Sequence, residues 1–286
     1  MPYEAMHFKF YQESQMMDAL KKIYTLAMHH KLSELDGLHQ RHAGQECYIF
    51  GDGISLKWMD LNQFTDRLSI VGSFLVYHKE AKKLRMAYCP MIEPFFFWPA
   101  FIGGGQGNSM RFRNSLYKEY RKTIKQHPET LFFLDISDYP VTRFPNALYV
   151  SRFYTSTIGT TNPFRDRKDL HHASFKFQVA LAIYLGFKKA YLVGHDYTHN
   201  PARSFHFYEK GEGILGGNKD FCREFIDYAK KYIDLVTVTL DGGSETIEPI
   251  TYKELTGKEP KFRENYDLVE RSKLESLATW QGYTIF

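Results

Sequence analysis

The chain has 286 residues, of which 43% are hydrophobic and 24% charged, with a formal net charge of +4. That length is near the upper size for one hydrophobic core, so it predicts a single domain with long functional loops, and the composition excludes a disordered or fibrous chain. The charge is too mild to imply nucleic-acid binding, although it suits an anionic substrate or a membrane surface.

In chain order, the N-terminus carries no basic region followed by an apolar one, so no secretory signal is expected and the expected location is the cytoplasm. Met16, Met17, Leu20, Ile23, Tyr24 and Met28 recur at helical spacing and predict an amphipathic helix over residues 11–30. Cys47-Tyr48-Ile49-Phe50 reads as a strand ended by Gly51 and Gly53, and Ser55-Leu56-Lys57 as a helix start. Further strands are expected at 68–71, 85–88, 131–134 and 148–150, with a charged helix over 115–126. The apolar run from Pro94 to Ile102 is far short of the roughly 20 residues that span a bilayer and contains Pro94 and Pro99. It belongs to an irregular stretch, 89–110, that also holds Glu93 and the glycine run 103–107, and is expected to be a mobile rim. Ser174 opens a helix ended by Gly186, followed by the strand Lys189-Ala190-Tyr191-Leu192-Val193; residues 219–233 and 235–240 repeat the helix-then-strand order. Successive helix–strand units predict a Rossmann-like α/β fold, a mostly parallel sheet with helices on both faces. Between the two units, 195–217 is long, polar, aromatic and glycine-rich, and is expected to be a lid. The chain is thus divided into an N-terminal helical segment (1–45), a catalytic domain (46–250) and a C-terminal segment (251–286). Cys47, Cys89 and Cys222 are widely separated and odd in number, which predicts reduced cysteines and no metal site.

Two loops are placed where open α/β sheets bind ligands. The glycines of Gly51-Asp52-Gly53-Ile54-Ser55 would allow positive φ and a close approach of backbone N–H groups to a phosphate, although a plain strand-to-helix turn explains the loop equally. Asp52 would repel a phosphate unless it binds ribose or a sugar hydroxyl. The second loop, Gly194-His195-Asp196-Tyr197-Thr198, offers Asp196, whose alternative is a loop-capping carboxylate. The lid adds Arg203, His206, Tyr208 and Glu209, a set able to bind phosphate and move protons.

The segment Tyr48-Ile49-Phe50-Gly51-Asp52-Gly53-Ile54-Ser55-Leu56-Lys57-Trp58-Met59-Asp60-Leu61 resembles the G-N-G-P-S-L-K-x-x-D opening of bacterial sialyltransferases that use CMP-sialic acid. The segment from Ala180 through Gly186-Phe187-Lys188-Lys189-Ala190-Tyr191-Leu192-Val193-Gly194 to Asp196 is similar to their A-x-x-L-G-[FY]-K-E-I-Y-L-x-G-x-D segment. The same segments mark a wider Rossmann-like group that includes motility-associated flagellin glycosyltransferases and archaeal hydroxymethylpterin diphosphokinases. The resemblance implies a glycosyltransferase moving a sialic-acid-like sugar from a CMP donor to a surface glycan or glycolipid, in lipopolysaccharide or capsule biosynthesis, with peripheral contact to the inner membrane compatible with such an acceptor. It implies donor contacts at Gly51, Asp52, Gly53, Ser55, Ser174, Gly194 and Asp196, sugar contacts at Glu93, a general base at His206, and stabilisation of the leaving phosphate by Tyr197 or Tyr208 with Arg203. His195, His171 and His172 are the other candidates for the base. No cofactor or metal is expected. Asp52 stands where asparagine is usual, Ile54 where proline is, His171-His172-Ala173-Ser174 where a Thr/Ser-Gly pair is common, and Thr198 where a tyrosine is. The alternatives are a Mg²⁺-dependent diphosphokinase with Asp52, Asp196 and Glu93 around the metal, or a non-catalytic nucleotide- or glycan-binding protein.

Overall fold

The computed structural model describes residues 22–94, 96–98, 107–154, 156, 158–167, 169–172, 174–216 and 222–286. Eight strands form one sheet: β1 (Glu46–Phe50), β2 (Leu68–Val71), β3 (Arg85–Met91), β4 (Leu131–Asp135), β5 (Ala147–Val150), β6 (Lys189–Val193), β9 (Asp234–Thr239) and β10 (Glu248–Thr251). The short strands β7 (Ala202–Arg203) and β8 (Leu215–Gly216) make a separate antiparallel pair within the 195–217 segment. In the main sheet the order is β10-β9-β6-β1-β2-β3-β4-β5, and every pairing is parallel.

The strands are nearly continuous in apolar residues because both faces are covered, as parallel sheets require. Alternate residues of β1 go to opposite sides: Tyr48 and Phe50 join one core with Val71, Val193 and Val238, while Cys47 and Ile49 join the other with Ile70, Ala190 and Leu192. The helix α1 (Gly107–Gln126) covers the first side through Leu116, Tyr120 and Ile124, together with Leu268, Leu274 and Leu277 from the C-terminal segment. The helices α2 (Ser174–Tyr184) and α3 (Arg223–Ala229) cover the second. All but two residues of α2 are buried, so it is apolar all round rather than amphipathic. Its one buried amide, Gln178, donates to the Phe50 carbonyl at 3.0 Å and so satisfies itself at the end of β1.

The expected strands at 68–71, 131–134, 148–150 and 189–193 are present with ends shifted by at most one residue, and that at 85–88 runs on to Met91 through Pro90. The helix expected over 115–126 begins earlier, at Gly107; that expected over 219–233 is shorter, Arg223–Ala229. Residues 11–21 of the predicted N-terminal helix and 103–106 of the glycine run lie outside the described residues. Edge strand β10 was not expected: Glu248-Pro249-Ile250-Thr251 lacks a clear apolar pattern, and Pro249 is tolerated because the edge needs fewer donors. Cys47, Cys89 and Cys222 are free thiols. No described helix is long and apolar enough to cross a membrane.

Candidate functional site

Strands β1 and β6 are neighbours, yet the chain proceeds from β1 through β2 to β5 on one side and from β6 through β9 to β10 on the other. Their C-terminal ends therefore bound the topological switch point, where connections diverge and leave a crevice. Both predicted loops emerge there. They are bound to each other: the Gly51 N–H donates to the Val193 carbonyl at 2.8 Å and the Gly53 N–H to the Gly194 carbonyl at 2.8 Å. Asp196 is buried and accepts from the Ser55 N–H at 2.8 Å and the Ser55 hydroxyl at 2.5 Å. It thereby caps the short 3₁₀ helix Ile54–Trp58 from the opposite loop, not the neighbouring N–H groups of its own loop as its capping alternative expected.

This geometry corrects the expected reason for the glycines. Gly53 has φ −64°, a conformation open to any residue, and a Cβ there would lie 2.5 Å from Asp196 Oδ1 and from the Gly194 carbonyl oxygen. A Cβ on Gly51 would collide with the same carbonyl. These glycines let two backbones touch, and the N–H groups of Gly51, Gly53 and Ser55 are engaged within the protein rather than turned to a phosphate. Gly194 does adopt positive φ, +71°.

The loop leaves Asp52 to face the crevice. Its carboxyl leans across Gly72, where a Cβ would stand 2.8 Å from Oδ1, toward the backbone N–H groups of Phe74 and Leu75. Oδ1 is buried without a hydrogen-bond partner. Burial pushes the pKa up to about 6, against the opposing pull of nearby His206 and those two N–H groups. The Asp52 carbonyl also accepts the Phe207 N–H at 3.1 Å, and Gly53 forms a β-bridge with His206, so the 195–217 segment is tied directly to the first loop.

His206 is the most completely oriented titratable group at the crevice. Its ring stacks on Tyr208 with centroids 4.9 Å apart and planes 4° from parallel, and meets Tyr283 edge-on at 5.5 Å. Nδ1 lies 2.8 Å from Glu209 Oε1, which also accepts the His206 backbone N–H at 3.1 Å. Glu209 Oε2 accepts the Thr284 N–H at 3.0 Å. The Glu209 side chain is 2% exposed and that of His206 42%. Burial pushes the Glu209 pKa up, but the contacts to His206 and Thr284 outweigh it and the net shift is downward, so Glu209 is an anion. An ionised carboxylate only accepts, hence the imidazole Nδ1 carries the proton and Nε2 presents a lone pair.

The other predicted residues are less closely gathered. Tyr208 is buried between Phe74, at 5.2 Å, and Tyr283, at 5.1 Å, and burial raises its phenol well above 10. Tyr197 lies on the β6 side, its hydroxyl 2.7 Å from His195 Nδ1 and its ring beside Phe175, and is raised likewise. Both are therefore neutral hydrogen-bond donors, not bases. Arg203 does not join the Asp52–His206 group: its guanidinium lies over the Trp58 ring at 4.8 Å and donates to the Glu212 carbonyl. Ser174 is exposed at the start of α2, and Glu93 is exposed just past the end of β3. His195 is 2% exposed and its pKa is pushed down to about 3 by burial, so it is a neutral core imidazole. His171 packs edge-on against Phe177, below the helix face that covers the sheet.

The expected free lid is anchored on three sides. Lys57, fully buried, donates to the Gly211 carbonyl at 2.6 Å and to Glu264 at 3.0 Å; Asn265 donates to the carbonyls of Tyr208 and Ile285; and Lys210 and Thr284 pair through their backbones. Lys57, Glu264, Tyr283 and Thr284 were not foreseen as site residues. Lys57 did stand in the quoted motif, but the short C-terminal pieces carry no periodicity that would place them beside His206.

No protein-family model and no curated protein sequence matches the chain. Among solved structures, the chain is similar to the sialyltransferase CstII from Campylobacter jejuni in complex with cytidine-5'-monophosphate, with 19% identity, a TM-score of 0.43, and 83% of this chain and 98% of that one covered. It is similar to the same enzyme in complex with CMP-3FNeuAc, with 18% identity, a TM-score of 0.42, and 82% and 100% covered. A complex of the enzyme with a trisaccharide acceptor and CMP gives 18% identity, a TM-score of 0.42, and 82% and 99% covered.

The carboxylates that the diphosphokinase alternative would group are separate: Asp196 is occupied by Ser55, Asp52 leans toward β2, and Glu93 is exposed at β3. Among the described residues no group of three or more His, Cys, Asp or Glu side chains is arranged to hold a metal ion.

Proposed function

We propose that this chain is a glycosyltransferase that moves a sialic-acid-like or other nonulosonic sugar from a CMP donor onto a surface glycan or glycolipid. The observation that carries the reading is the carboxylate-bound imidazole of His206, half exposed and tied through its backbone to the loop that follows β1. The two segments with the sialyltransferase resemblance supply the loops on which it stands, which supports the same reading.

In the proposed reaction an acceptor hydroxyl oxygen attacks the anomeric carbon of the donor sugar. The bond from that carbon to the phosphate oxygen breaks, its electron pair leaves with CMP, and the hydroxyl proton passes to His206 Nε2. The neutral phenols of Tyr208 and Tyr197 would donate to the developing phosphate charge, Tyr197 by giving up its contact with His195, and Arg203 would join them by leaving Trp58. Ser174 would meet the nucleotide and Glu93 sugar hydroxyls at the rim. A glycolipid acceptor would bring the protein to the inner membrane surface.

The test is turnover: the protein incubated with CMP-activated nonulosonic acids should release CMP, faster when glycan acceptors are added, and yield a glycosylated acceptor by mass spectrometry. Release of AMP from ATP and Mg²⁺ in the presence of a pterin alcohol, with no CMP release, would reverse the assignment.

A further inference from the structure

We propose that Glu209 is a positioning residue that holds His206 in its reactive tautomer, and that the last residues of the chain complete this pair by holding Glu209. The proposal rests on the assignment of His206 as base. Its warrant is a chain of contacts rather than a single one. Glu209 Oε1 takes both the Nδ1–H and the backbone N–H of His206, which fixes the ring relative to its own main chain. Oε2 takes the Thr284 N–H, and the adjacent Tyr283 ring closes the edge of the imidazole. The Lys210 N–H donates to the Thr284 carbonyl at 2.7 Å just after Glu209, and Asn265 Nδ2 donates to the Tyr208 carbonyl just before it, so residues of the C-terminal segment hold the chain on both sides of Glu209.

A carboxylate buried this deeply costs free energy unless each oxygen is bonded, and here both are. A residue needed only to close the loop could be apolar. An anion on Nδ1 instead forces the proton onto that nitrogen and leaves the lone pair on Nε2. The groups facing His206 from each element are Asp52 from the first loop, Tyr208 and Glu209 from its own segment, and Tyr283 from the C-terminal segment. Asp52 contributes a second nearby negative charge, but it does not hold the ring, so it cannot select the tautomer.

The test uses the full chain with isotope-labelled histidine, His206 being assigned through His206→Gln. In wild type, nitrogen shifts should report the Nδ1–H tautomer. Glu209→Gln is isosteric and keeps an acceptor at Nδ1, so the tautomer should persist, whereas Glu209→Leu removes the acceptor and should bring the Nε2–H form into the spectrum. With CMP-sugar, kcat should fall about 10-fold to 100-fold with KM nearly unchanged, and Glu209→Asp should restore part of the loss. An unchanged Nδ1–H tautomer in folded Glu209→Leu, or an Nε2–H tautomer in wild type, would overturn the proposal. The magnetic resonance readout needs no substrate, so absence of CMP-sugar turnover would reject the transferase reading while leaving the Glu209 proposal decided by the tautomer.

Discussion

Asp52→Asn isolates the charge at the centre of the crevice. Folding raises the Asp52 pKa from 3.8 to about 6, chiefly because burial disfavours the anion. A raised carboxyl binds more protons folded than unfolded between those two values, so its contribution to stability falls as pH rises through that window and is fully unfavourable above about pH 6. At 1.36 kcal/mol for each tenfold change in proton affinity, the rise from 3.8 to about 6 corresponds to about 3 kcal/mol as an upper bound. The asparagine keeps one oxygen for the Phe74 and Leu75 N–H groups and removes the charge, at the cost of a buried amide nitrogen that must find a partner, about 1–2 kcal/mol. The expected net is a variant more stable than wild type by about 1–2 kcal/mol at pH 8; the advantage vanishes at about pH 5 and reverses by about 1 kcal/mol at about pH 4, where the charge penalty has faded and the amide cost remains. Denaturant unfolding at a series of pH values reads this directly. A variant that parallels wild type from pH 4 to 8 would show that Asp52 is not held as described.

Three other substitutions probe separate parts of the site. Gly53→Ala should destabilise the fold by about 1–3 kcal/mol in denaturant melts, because its Cβ would push Asp196 and Gly194 away; unchanged stability would mean the two loops are not in contact. His206→Ala should lower turnover about 10²-fold to 10⁴-fold with little change in donor affinity by calorimetry, and full activity would remove it as the base. Lys57→Met should cost about 2–4 kcal/mol in denaturant unfolding, since it leaves Glu264 and the Gly211 carbonyl without their buried partner; a loss below about 0.5 kcal/mol would contradict the anchoring of the lid.

The sheet was legible because its signal is local. Runs such as Lys189-Ala190-Tyr191-Leu192-Val193 bounded by glycines define strands whatever lies far away, and the helix-then-strand order fixes parallel pairing. That the two loops meet was legible for the same reason, since loops at strand ends of an α/β sheet converge at the switch point. What Gly53 and Asp196 do there was not: both are explained by contact across 141 to 143 residues of sequence, and no local rule distinguishes a glycine that admits a phosphate from one that admits another backbone. His206 was singled out by its place in the lid, but the residues that orient it include Tyr283 and Thr284 from the irregular stretch that follows the last helix, Arg271–Leu277. Arg203 shows the converse error, a residue of suitable chemistry whose side chain is committed to Trp58.

Thermal protection by nucleotides tests the central assignment most directly, because it needs neither the acceptor nor the right donor sugar. A ligand at about 100 times its dissociation constant stabilises the folded state by about 2.7 kcal/mol, which for a chain of this size raises the melting temperature by roughly 5 °C or more. CMP or a CMP-sugar should produce this shift without added metal, and ATP with Mg²⁺ should not. Protection by ATP with Mg²⁺ and none by CMP would contradict it.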